Sequence, residues 1–388
     1  MKKLTLLSLA LSIVIASHGQ SKKILDHSAY DEWRTIENQS ISSNGKFVQY
    51  TLGSHGYADP ILKLHDDKGK ELLSYDRASK GKFTWETSHL IFKISPADTT
   101  LRNLKRIKTK KDKLPKDTLA IYQLASGSLV KIPHLQSYKT PEKWDGWIAY
   151  QTVLQPDTAN KKMKKSTNDN GYPLTIHQLS SGQTWELPYT KDFRFSERGN
   201  SLAAFSEGND STIVKGVYVF DTENPGWKSV FTGKGEFTSL SWDESGKQLV
   251  FVADIDTTKA LTRNPGLYYW QSTNDSASLI VDSKADRMPS SWQVNSFQKP
   301  RFSQDGKQLY FGINPPPIKQ DTSLLEDEIV NVEVWSYNDP RLHTQQKIDA
   351  KNDVKKGYTA VMDIASRNFR QLETLSIPES SQSNEGSI

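Results

Sequence analysis

WDESGKQLVFV, residues 242–252, is the stretch of this sequence that decides the fold. Asp243 can open a tight turn with a side-chain hydrogen bond, Gly246 tolerates a positive φ, and the apolar run from Leu249 to Val252 forms a strand. The same pattern, Ser or Asp followed three residues later by Gly and then by an apolar run, recurs along the chain. Its clear copies open at Ser42, Ser196, Asp243 and Ser303. Because the apolar runs are continuous rather than alternating, they predict strands that are buried on both faces.

Between these copies the sequence carries weaker copies and a second repeated unit. The weaker copies are 87–92 and 144–150. The second unit is a strand, a polar turn and another strand, as in 120–130 and 175–187. Further strands of this kind are expected at 217–220, 267–270, 332–335 and 361–364. Four strands in roughly 40 to 60 residues is the spacing of propeller blades.

The predicted fold is therefore all-β, a β-propeller of four-stranded blades. We expect about six blades and the start of a seventh, so that the ring is incomplete. A plain β-sandwich would show evenly spaced strands without a recurring turn of constant composition. The best helix candidate is short, from about Asp26 to Asn38, and precedes the first blade.

Composition excludes several classes of protein. The chain has 388 residues, 35% of them hydrophobic, which is enough to bury a substantial core. The net charge is +5, a small excess that does not indicate a nucleic-acid partner. The absence of Cys excludes disulfides, thiolate metal sites, a Cys nucleophile and a lipid-anchored N-terminal Cys.

The N-terminus has the pattern of an export signal. Lys2 and Lys3 form a charged region, 4–16 is apolar, and Ser17-His18-Gly19 places small residues where a signal peptidase reads. The apolar run is shorter than the roughly 20 residues that a membrane span needs. We expect a signal peptide over 1–19, cleavage after Gly19, and a periplasmic or extracellular mature protein without a membrane span.

The last residues, 383–388, repeat the turn pattern but stop where its strand should begin. Each propeller blade buries its faces only against its neighbours, so a ring is expected to contain every blade. The interpretation is a single propeller domain over 20–388 that is truncated at its C-terminus. A polar C-terminal tail is the alternative.

The charged segments and the histidines are interpreted as structural features and not as functional sites. The basic segments 102–116 and 161–165 are expected to be solvated insertions between strands, because an exported protein does not routinely meet nucleic acid. His89 and His177 fall in strands and are expected to be packed or half-exposed. Asp254-Ile255-Asp256 and 168–171 lack the full calcium-loop spacing and are expected to be turns. No metal and no cofactor are predicted.

Tryptophans and prolines are also interpreted as structural. Large aromatic rings suit the wedge between blades, so core packing is predicted for the Trp residues in or beside strands. These are Trp85, Trp144, Trp147, Trp185, Trp242, Trp270 and Trp335. The run Pro315-Pro316-Pro317 is predicted to be a linker between blades, continued by the polar stretch 319–331.

Three segments carry a resemblance to a known family. They are LDHSAYDEW at 25–33, LPKDTL at 114–119 and VWSYNDPR at 334–341. In this order, and together with the export signal, the chain resembles the N-terminal part of secreted bacterial serine peptidases of the prolyl oligopeptidase family. The resemblance covers essentially the whole chain after residue 19. It implies a propeller that filters substrates, followed by an α/β-hydrolase domain with Ser, Asp and His.

No catalytic residue of that family can be assigned to this chain. The nucleophile elbow of α/β-hydrolases is Gly-x-Ser-x-Gly, and only 19–23 and 199–203 have Ser two residues after Gly. The first spans the predicted cleavage site, and Ser201 in the second is expected to be a surface turn residue. The paired Glu of some family members is not recognisable, because Glu326-Asp327-Glu328 lies in different surroundings.

The sequence therefore predicts the substrate-gating propeller of an exported peptidase, inactive by itself. Its partner would be a peptide substrate, cleaved by a catalytic domain absent from this chain. The alternative is a non-enzymatic exported propeller that binds a protein or envelope component. A decayed gene whose product does not accumulate is a third possibility. The pattern does not indicate the substrate preference, the choice between seven and eight blades, or the oligomeric state.

Overall fold

The computed structural model describes residues 26–27, 32–54, 58–154, 170–209, 211–258, 260, 262–317, 321, 323–330 and 332–381. It divides the chain into two compact units. The first takes in 1–41, 45–81 and 94–114, and the second takes in 42–44, 82–93 and 115–388. The described residues form antiparallel sheets, as the recurrent turn predicts. The predicted signal peptide, the basic segment 161–165 and the final turn at 383–388 lie outside the described residues.

The first unit contains one four-stranded sheet in the order β1-β2-β3-β4. Its strands are β1 Arg34–Ile41, β2 Phe47–Ser54, β3 Ile61–Asp66 and β4 Glu71–Asp76. The unit also holds helix α1, Asp98–Arg106, and a short 3-10 helix, Lys111–Lys113. The first of these helices begins just before the basic segment 102–116 and the second lies inside it, and neither was predicted. Leu101 and Leu104 give α1 a short, partly buried apolar side, but the many charged residues at 98–113 obscured that pattern.

The predicted N-terminal helix is wrong from Arg34 onward. Residues 34–41 form β1, which pairs antiparallel with β2 from Arg34 opposite Ser54 to Ile41 opposite Val48. Ladder hydrogen bonds to a neighbouring strand outweigh a weak local helical preference. β2 also departs from expectation, because its buried positions alternate, with Gln49 and Thr51 inside.

The second unit contains the rest of the strands. Strands β5 Ala78–Phe83 and β6 His89–Ile94 have residues in both units. The following strands are β7 Asp117–Gln123, β8 Leu129–Lys139, β9 Trp147–Thr152, β10 Tyr172–Gln178, β11 Thr184–Phe195, β12 Ser201–Ser206, β13 Gly216–Asp221 and β14 Gly226–Thr232. The last strands are β15 Glu236–Trp242, β16 Gln248–Asp254, β17 Gly266–Gln271, β18 Ser278–Val281, β19 Gln293–Val294, β20 Arg301–Phe302, β21 Gln308–Asn314, β22 Tyr358–Asp363 and β23 Phe369–Gln371.

Two long strands each serve two neighbouring blades. The N-terminal half of β8 pairs with β7 and its C-terminal half pairs with β9, with the change at Leu135. β11 does the same between β10 and β12, with the change at Thr190. His134 and Tyr189, just before these points, adopt φ values of 59° and 58°. The bend therefore occurs inside a strand, at a residue in the left-handed region, without a loop.

The described strands group into six four-stranded blades, so the fold is a β-propeller. Blade 1 is β1–β4, blade 2 is β5–β8, blade 3 is β8–β11, blade 4 is β11–β14 and blade 5 is β15–β18. In blade 6, β19 and β20 together take the place of the first strand and both pair with β21, which is followed by β22 and β23. Within the second unit the hydrophobic cores lie between successive blades. One joins blade 3 to blade 4, the next joins blade 4 to blade 5, and the third joins blade 5 to blade 6.

The recurrent turn forms as predicted. Its first residue is buried in all four clear copies, and in blade 5 the Asp243 carboxylate accepts hydrogen bonds from the backbone N–H groups of Lys247 and Gln248, each at 2.9 Å. Gly246 and Gly306 both have a φ of 69°. The copy at 196–199 differs, because the positive φ falls on Asn200 instead of Gly199. Strands β12, β16 and β21 are buried on both faces, as expected for continuous apolar runs.

Two predictions in the last blade are wrong. Residues 332–335 are not a strand, and Val334 and Trp335 are 84% and 65% exposed. The partner of β21 is β22 instead, with Ile313 opposite Tyr358. The proline run at 315–317 therefore begins an insertion within blade 6 and is not a linker between blades. This insertion carries helix α2, His343–Asp353.

The tryptophan predictions are confirmed in part. Trp144, Trp147, Trp242 and Trp270 are at most 8% exposed, and Trp185 packs against the core between blades 3 and 4. Trp85 and Trp335 are exposed, at 48% and 65%. Trp85 lies in a turn and Trp335 in the insertion, so neither has a neighbouring blade face to fill.

Candidate functional site

The candidate site is a cavity of about 940 Å³ within the second unit. Its wall comes from the ends of the first strands of blades 2 to 6 and from the turns that follow them. In each of these blades the turn opens five residues before the next strand begins. The opening residues are Thr84, Glu142, Ser196, Asp243 and Ser303. The repeat therefore brings equivalent positions, far apart in sequence, to the same cavity.

One set of lining residues is named the inner ring. Each of its members lies two positions before the residue that opens a turn. They are Lys82, Thr140, Arg194, Ser241 and Arg301, and all of them line the cavity. Three of the five are basic and two are hydroxyl residues. Side chains alternate along a strand, so a residue two positions from the turn points to the same side in every blade. The turn pattern in the sequence does not include this position, which is why sequence analysis missed it.

A second set, the turn ring, lies one position after the openings in blades 3 to 6. It consists of Lys143, Glu197, Glu244 and Gln304, which also line the cavity. Successive turns are hydrogen-bonded to each other: the Lys143 N–H donates to the Glu197 carbonyl at 3.2 Å. The Lys143 ammonium also forms an ion pair with the Glu197 carboxylate. The turn ring is thus held by backbone and side-chain contacts together.

The same linkage continues through blades 4 to 6. The Arg198 N–H donates to the Glu244 carbonyl at 3.1 Å, and Arg198 Nε lies 2.5 Å from Glu244 Oε1. The side chain of Gln248 then donates to the Gly306 carbonyl at 3.0 Å. Each exposed ion pair contributes only about 0 to 1 kcal/mol, so the backbone contacts matter more for the shape of the rim.

The cavity wall carries more basic than acidic side chains. The basic ones are Lys82, Lys139, Lys143, Arg194, Lys299 and Arg301, and the acidic ones are Glu142, Glu197 and Glu244. Glu197 and Glu244 are already paired with Lys143 and Arg198. Lys139 is paired with Asp192 at 3.1 Å. Among the residues that the structure describes, the other four basic side chains form no ion pair, so the wall has an unneutralised positive charge.

Two polar atoms at the inner ring have no hydrogen-bond partner in the described protein. The Arg194 Nε atom is buried, and so is the hydroxyl of Thr140, a residue only 8% exposed. The backbone around Arg194 is held in place, because the Trp242 indole donates to the Arg194 carbonyl and the Trp144 indole donates to the Ser196 carbonyl, both at 3.0 Å. Buried polar groups are normally satisfied, so these two atoms are candidates for contact with a bound molecule once their side chains turn toward the cavity.

Titratable groups near these strands are shifted by burial. Burial raises the pKa of the Tyr138 phenol, which lines the cavity. Burial also lowers the pKa of His177, and it lowers the pKa of His89 against the opposing effect of Asp145. His89 is 7% exposed in β6, and His177 is partly buried in β10. The prediction that both are packed or half-exposed strand residues is confirmed.

The residues that sequence analysis weighed as sites lie away from the cavity wall. Ser201 begins β12 and its hydroxyl donates to the Gly199 carbonyl at 3.0 Å. Asp254 forms an ion pair with Arg263, and its other oxygen accepts the Asp256 N–H at 3.1 Å. The acidic stretch 326–328 lies in the exposed insertion of blade 6.

The segments of the family resemblance are distributed over the fold. Of 25–33, only residues 26–27 and 32–33 are described. Residues 114–119 lead into β7, and 334–341 form an exposed stretch just before α2. Within the described ranges no group of three or more His, Cys, Asp or Glu side chains could hold a metal ion. The described helices also include none with the length and apolar character to cross a membrane.

Comparison with known proteins does not assign the chain to a family. No family model matches the chain, and no curated protein matches it. Among solved structures, it is similar to TolB from Acinetobacter baumannii, with 12% identity and a TM-score of 0.33 over 84% of this chain and 63% of that one. The chain thus spans less than two thirds of TolB.

Two peptidases are also among the similar structures. One is the β-propeller domain of the Trilobed protease from Pyrococcus furiosus, with 13% identity, a TM-score of 0.36, and coverage of 73% of this chain and 79% of that one. The other is the acylaminoacyl peptidase of Pyrococcus horikoshii, with 11% identity, a TM-score of 0.38, and coverage of 74% of this chain and 44% of that one. The protein is a β-propeller with a basic cavity lined by successive blades.

Proposed function

We propose that this chain is the substrate-gating propeller of an exported serine peptidase of the prolyl oligopeptidase type. In this proposal residues 1–19 are the export signal and 20–388 belong to the propeller domain. The observation that carries it is the cavity of about 940 Å³ lined by equivalent residues of successive blades. Sites of roughly 300 to 1,000 Å³ accommodate small molecules, so the cavity suits a short peptide better than a folded protein.

The proposal assigns no chemistry to the residues of this chain. In the full-length enzyme a Ser on a hydrolase domain would attack the peptide carbonyl, with His as the general base. The propeller would restrict access by size. The support for this division of labour is the order of the three resembling segments at 25–33, 114–119 and 334–341, together with the export pattern.

The competing proposal is a self-standing exported propeller that binds its ligand without chemistry. The unpaired basic side chains of the cavity favour it, because they provide a binding surface that needs no second domain. The two proposals agree on where the ligand binds. They differ in whether a nucleophile elbow is encoded in the same reading frame.

The deciding experiment reads the coding DNA beyond the codon for Ile388 and measures the native product. We expect the frame to continue into Gly-x-Ser-x-Gly followed by Asp and His. We also expect a product heavier than the 43.9 kDa of this chain that reacts with a fluorophosphonate probe of serine hydrolases. A stop codon at this point, with an unreactive product of this mass or less, would overturn the peptidase proposal in favour of the binding propeller.

A further inference from the structure

We propose that the basic cavity of the second unit binds short acidic peptides, whose carboxylates meet Lys82, Arg194, Lys299 and Arg301. The inference deepens the proposed function, on which the choice of a peptide as the ligand rests. It names the chemical class of peptide that the propeller admits.

The cavity wall carries an excess of positive charge. Two of the three lining carboxylates, Glu197 and Glu244, are paired with basic residues of neighbouring turns. In the described structure four basic side chains of the wall form no ion pair, against one remaining lining carboxylate, Glu142. A concave wall with an excess of one charge concentrates ligands of the opposite charge. The cavity therefore favours anions over cations.

The two arginines of the wall are suited to binding carboxylates. Arg194 and Arg301 occupy the same inner-ring position in blades 4 and 6. The Arg301 guanidinium lies over the Tyr310 ring, 4.8 Å from its centroid, which orients it without using its N–H donors on a protein carboxylate. A guanidinium presents a planar set of donors that matches a carboxylate with two parallel hydrogen bonds.

Two unsatisfied polar atoms lie beside these charges. Among the described residues, the buried hydroxyl of Thr140 has no hydrogen-bond partner, and neither does Arg194 Nε. Both residues line the cavity. When these side chains turn toward the cavity, a peptide supplies the complementary groups: its carbonyl or carboxylate oxygens accept from the guanidinium and the hydroxyl, and its N–H groups donate to the hydroxyl. Basic residues thus recognise the charge, while Thr140 recognises a polar group beside it.

The test measures binding to the full chain by fluorescence anisotropy. The probes are a fluorescein-labelled peptide of alternating Glu and Ala and the same peptide with Gln in place of Glu. We expect the Glu peptide to bind about tenfold or more tightly than the Gln peptide at low salt, and the difference to shrink as added salt screens the charges. Equal binding of the two peptides would overturn the inference.

Two variants localise the binding. Lys299→Gln with Arg301→Gln removes two lining charges, and Lys284→Gln with Lys307→Gln removes two exposed lysines that do not line the cavity. We expect the first pair to abolish the preference for the Glu peptide and the second pair to leave it unchanged. Equal losses from both pairs would show a general charge effect and contradict the proposed site.

Thr140→Val provides an independent variant that does not change the charge. Valine has nearly the shape of threonine, and the hydroxyl that it removes has no hydrogen-bond partner in the described part of the chain. We expect the thermal midpoint to stay the same or rise, while the Glu peptide binds several-fold more weakly. Unchanged binding in T140V would exclude Thr140 from the site.

Competition with unlabelled ligands distinguishes an acidic peptide from other anionic ligands. Unlabelled Glu peptide should displace the probe, whereas a uronate oligomer or an oligonucleotide that displaces it more strongly would overturn the choice of a peptide. The outcomes also distinguish the two proposals. The absence of a hydrolase domain would end the peptidase proposal and leave acidic-peptide binding testable. Equal binding of Glu and Gln peptides by an intact peptidase would end this inference alone.

Discussion

At the scale of single residues, the turns of blades 4 and 5 contact each other through glycine. A Cβ atom placed on Gly199 would lie 1.7 Å from the Ser245 carbonyl oxygen and 2.5 Å from Gly246 Cα. Both are backbone atoms, so no flexible side chain can move aside. Gly199 is required for close approach rather than for a positive φ, which distinguishes it from Gly246.

Gly199→Ala is expected to lower the free energy of unfolding by about 1 to 3 kcal/mol, the usual effect of overpacking. The matched control is Gly226→Ala, because the nearest atom to its added Cβ would be 3.9 Å away. Reduction of backbone freedom in the unfolded chain should keep that control within about 1 kcal/mol of the parent. Urea unfolding followed by tryptophan fluorescence measures both. Equal stability of the two variants would contradict the contact between the turns.

The two histidines of blades 2 and 3 predict a loss of stability in acid. Burial lowers the pKa of both His89 and His177, so the folded protein binds fewer protons than the unfolded chain below the unfolded pKa of about 6.5. Stability is therefore full above that value and falls as the pH drops toward the folded pKa values. The slope is at most about 1.4 kcal/mol per pH unit for each proton.

His177→Gln should reduce this pH dependence when urea unfolding is repeated between neutral and mildly acidic pH. The control is His134→Asn, because His134 is exposed and Asn tolerates its positive φ of 59°. A slope that is the same in H177Q and in the parent would show that His177 does not carry the effect.

At the scale of elements, one buried side chain ties together the two strands that bend between blades. Gln151 in β9 is 4% exposed. Its Nε2 atom donates to the Thr190 carbonyl of β11 at 2.8 Å, and its Oε1 atom accepts from the Ser137 hydroxyl of β8 at 2.8 Å. Thr190 is the residue at which β11 changes partners. Gln151 thus stabilises the bends that join blade 3 to its neighbours.

Gln151→Leu is expected to lower the free energy of unfolding by about 1 to 3 kcal/mol, because it removes these two hydrogen bonds from a buried position. Gln178→Leu is the control in the neighbouring strand β10. The Gln178 side chain accepts from the exposed Ser181 hydroxyl at 2.6 Å, so water can replace that contact. If Q178L were as destabilising as Q151L, burial of the bond would not be the cause.

Prediction from sequence succeeded where local chemistry decides the element. Each turn opens with Ser or Asp and is followed by an apolar run. This pattern correctly predicted the strands β12, β16 and β21 and their burial on both faces. It failed at β1, where pairing with β2 made a strand of residues with a helical pattern. It failed again at 332–335, whose apolar residues suit a strand but pair with no strand among the described residues.

At the scale of the whole molecule, the export proposal predicts a processed N-terminus. Removal of residues 1–19 would leave Gln20 as the first residue of the exported protein. N-terminal sequencing of the protein recovered after export measures this directly, with Ser17→Leu as a variant expected to impair cleavage because signal peptidase reads small residues. Retention of Met1 in the exported protein would contradict the proposal.

By itself the sequence determined the fold class, because a propeller turn depends on residues within a few positions of one another. It also located the strands that fill the cores between blades. Only the tertiary structure decided where a ligand could bind. Lys82, Thr140, Arg194 and Arg301 have no common motif and lie far apart in the chain, yet the same step before each turn brings them to one cavity. Their charge acts together because blade packing places them there, and local sequence carries no information about that distance.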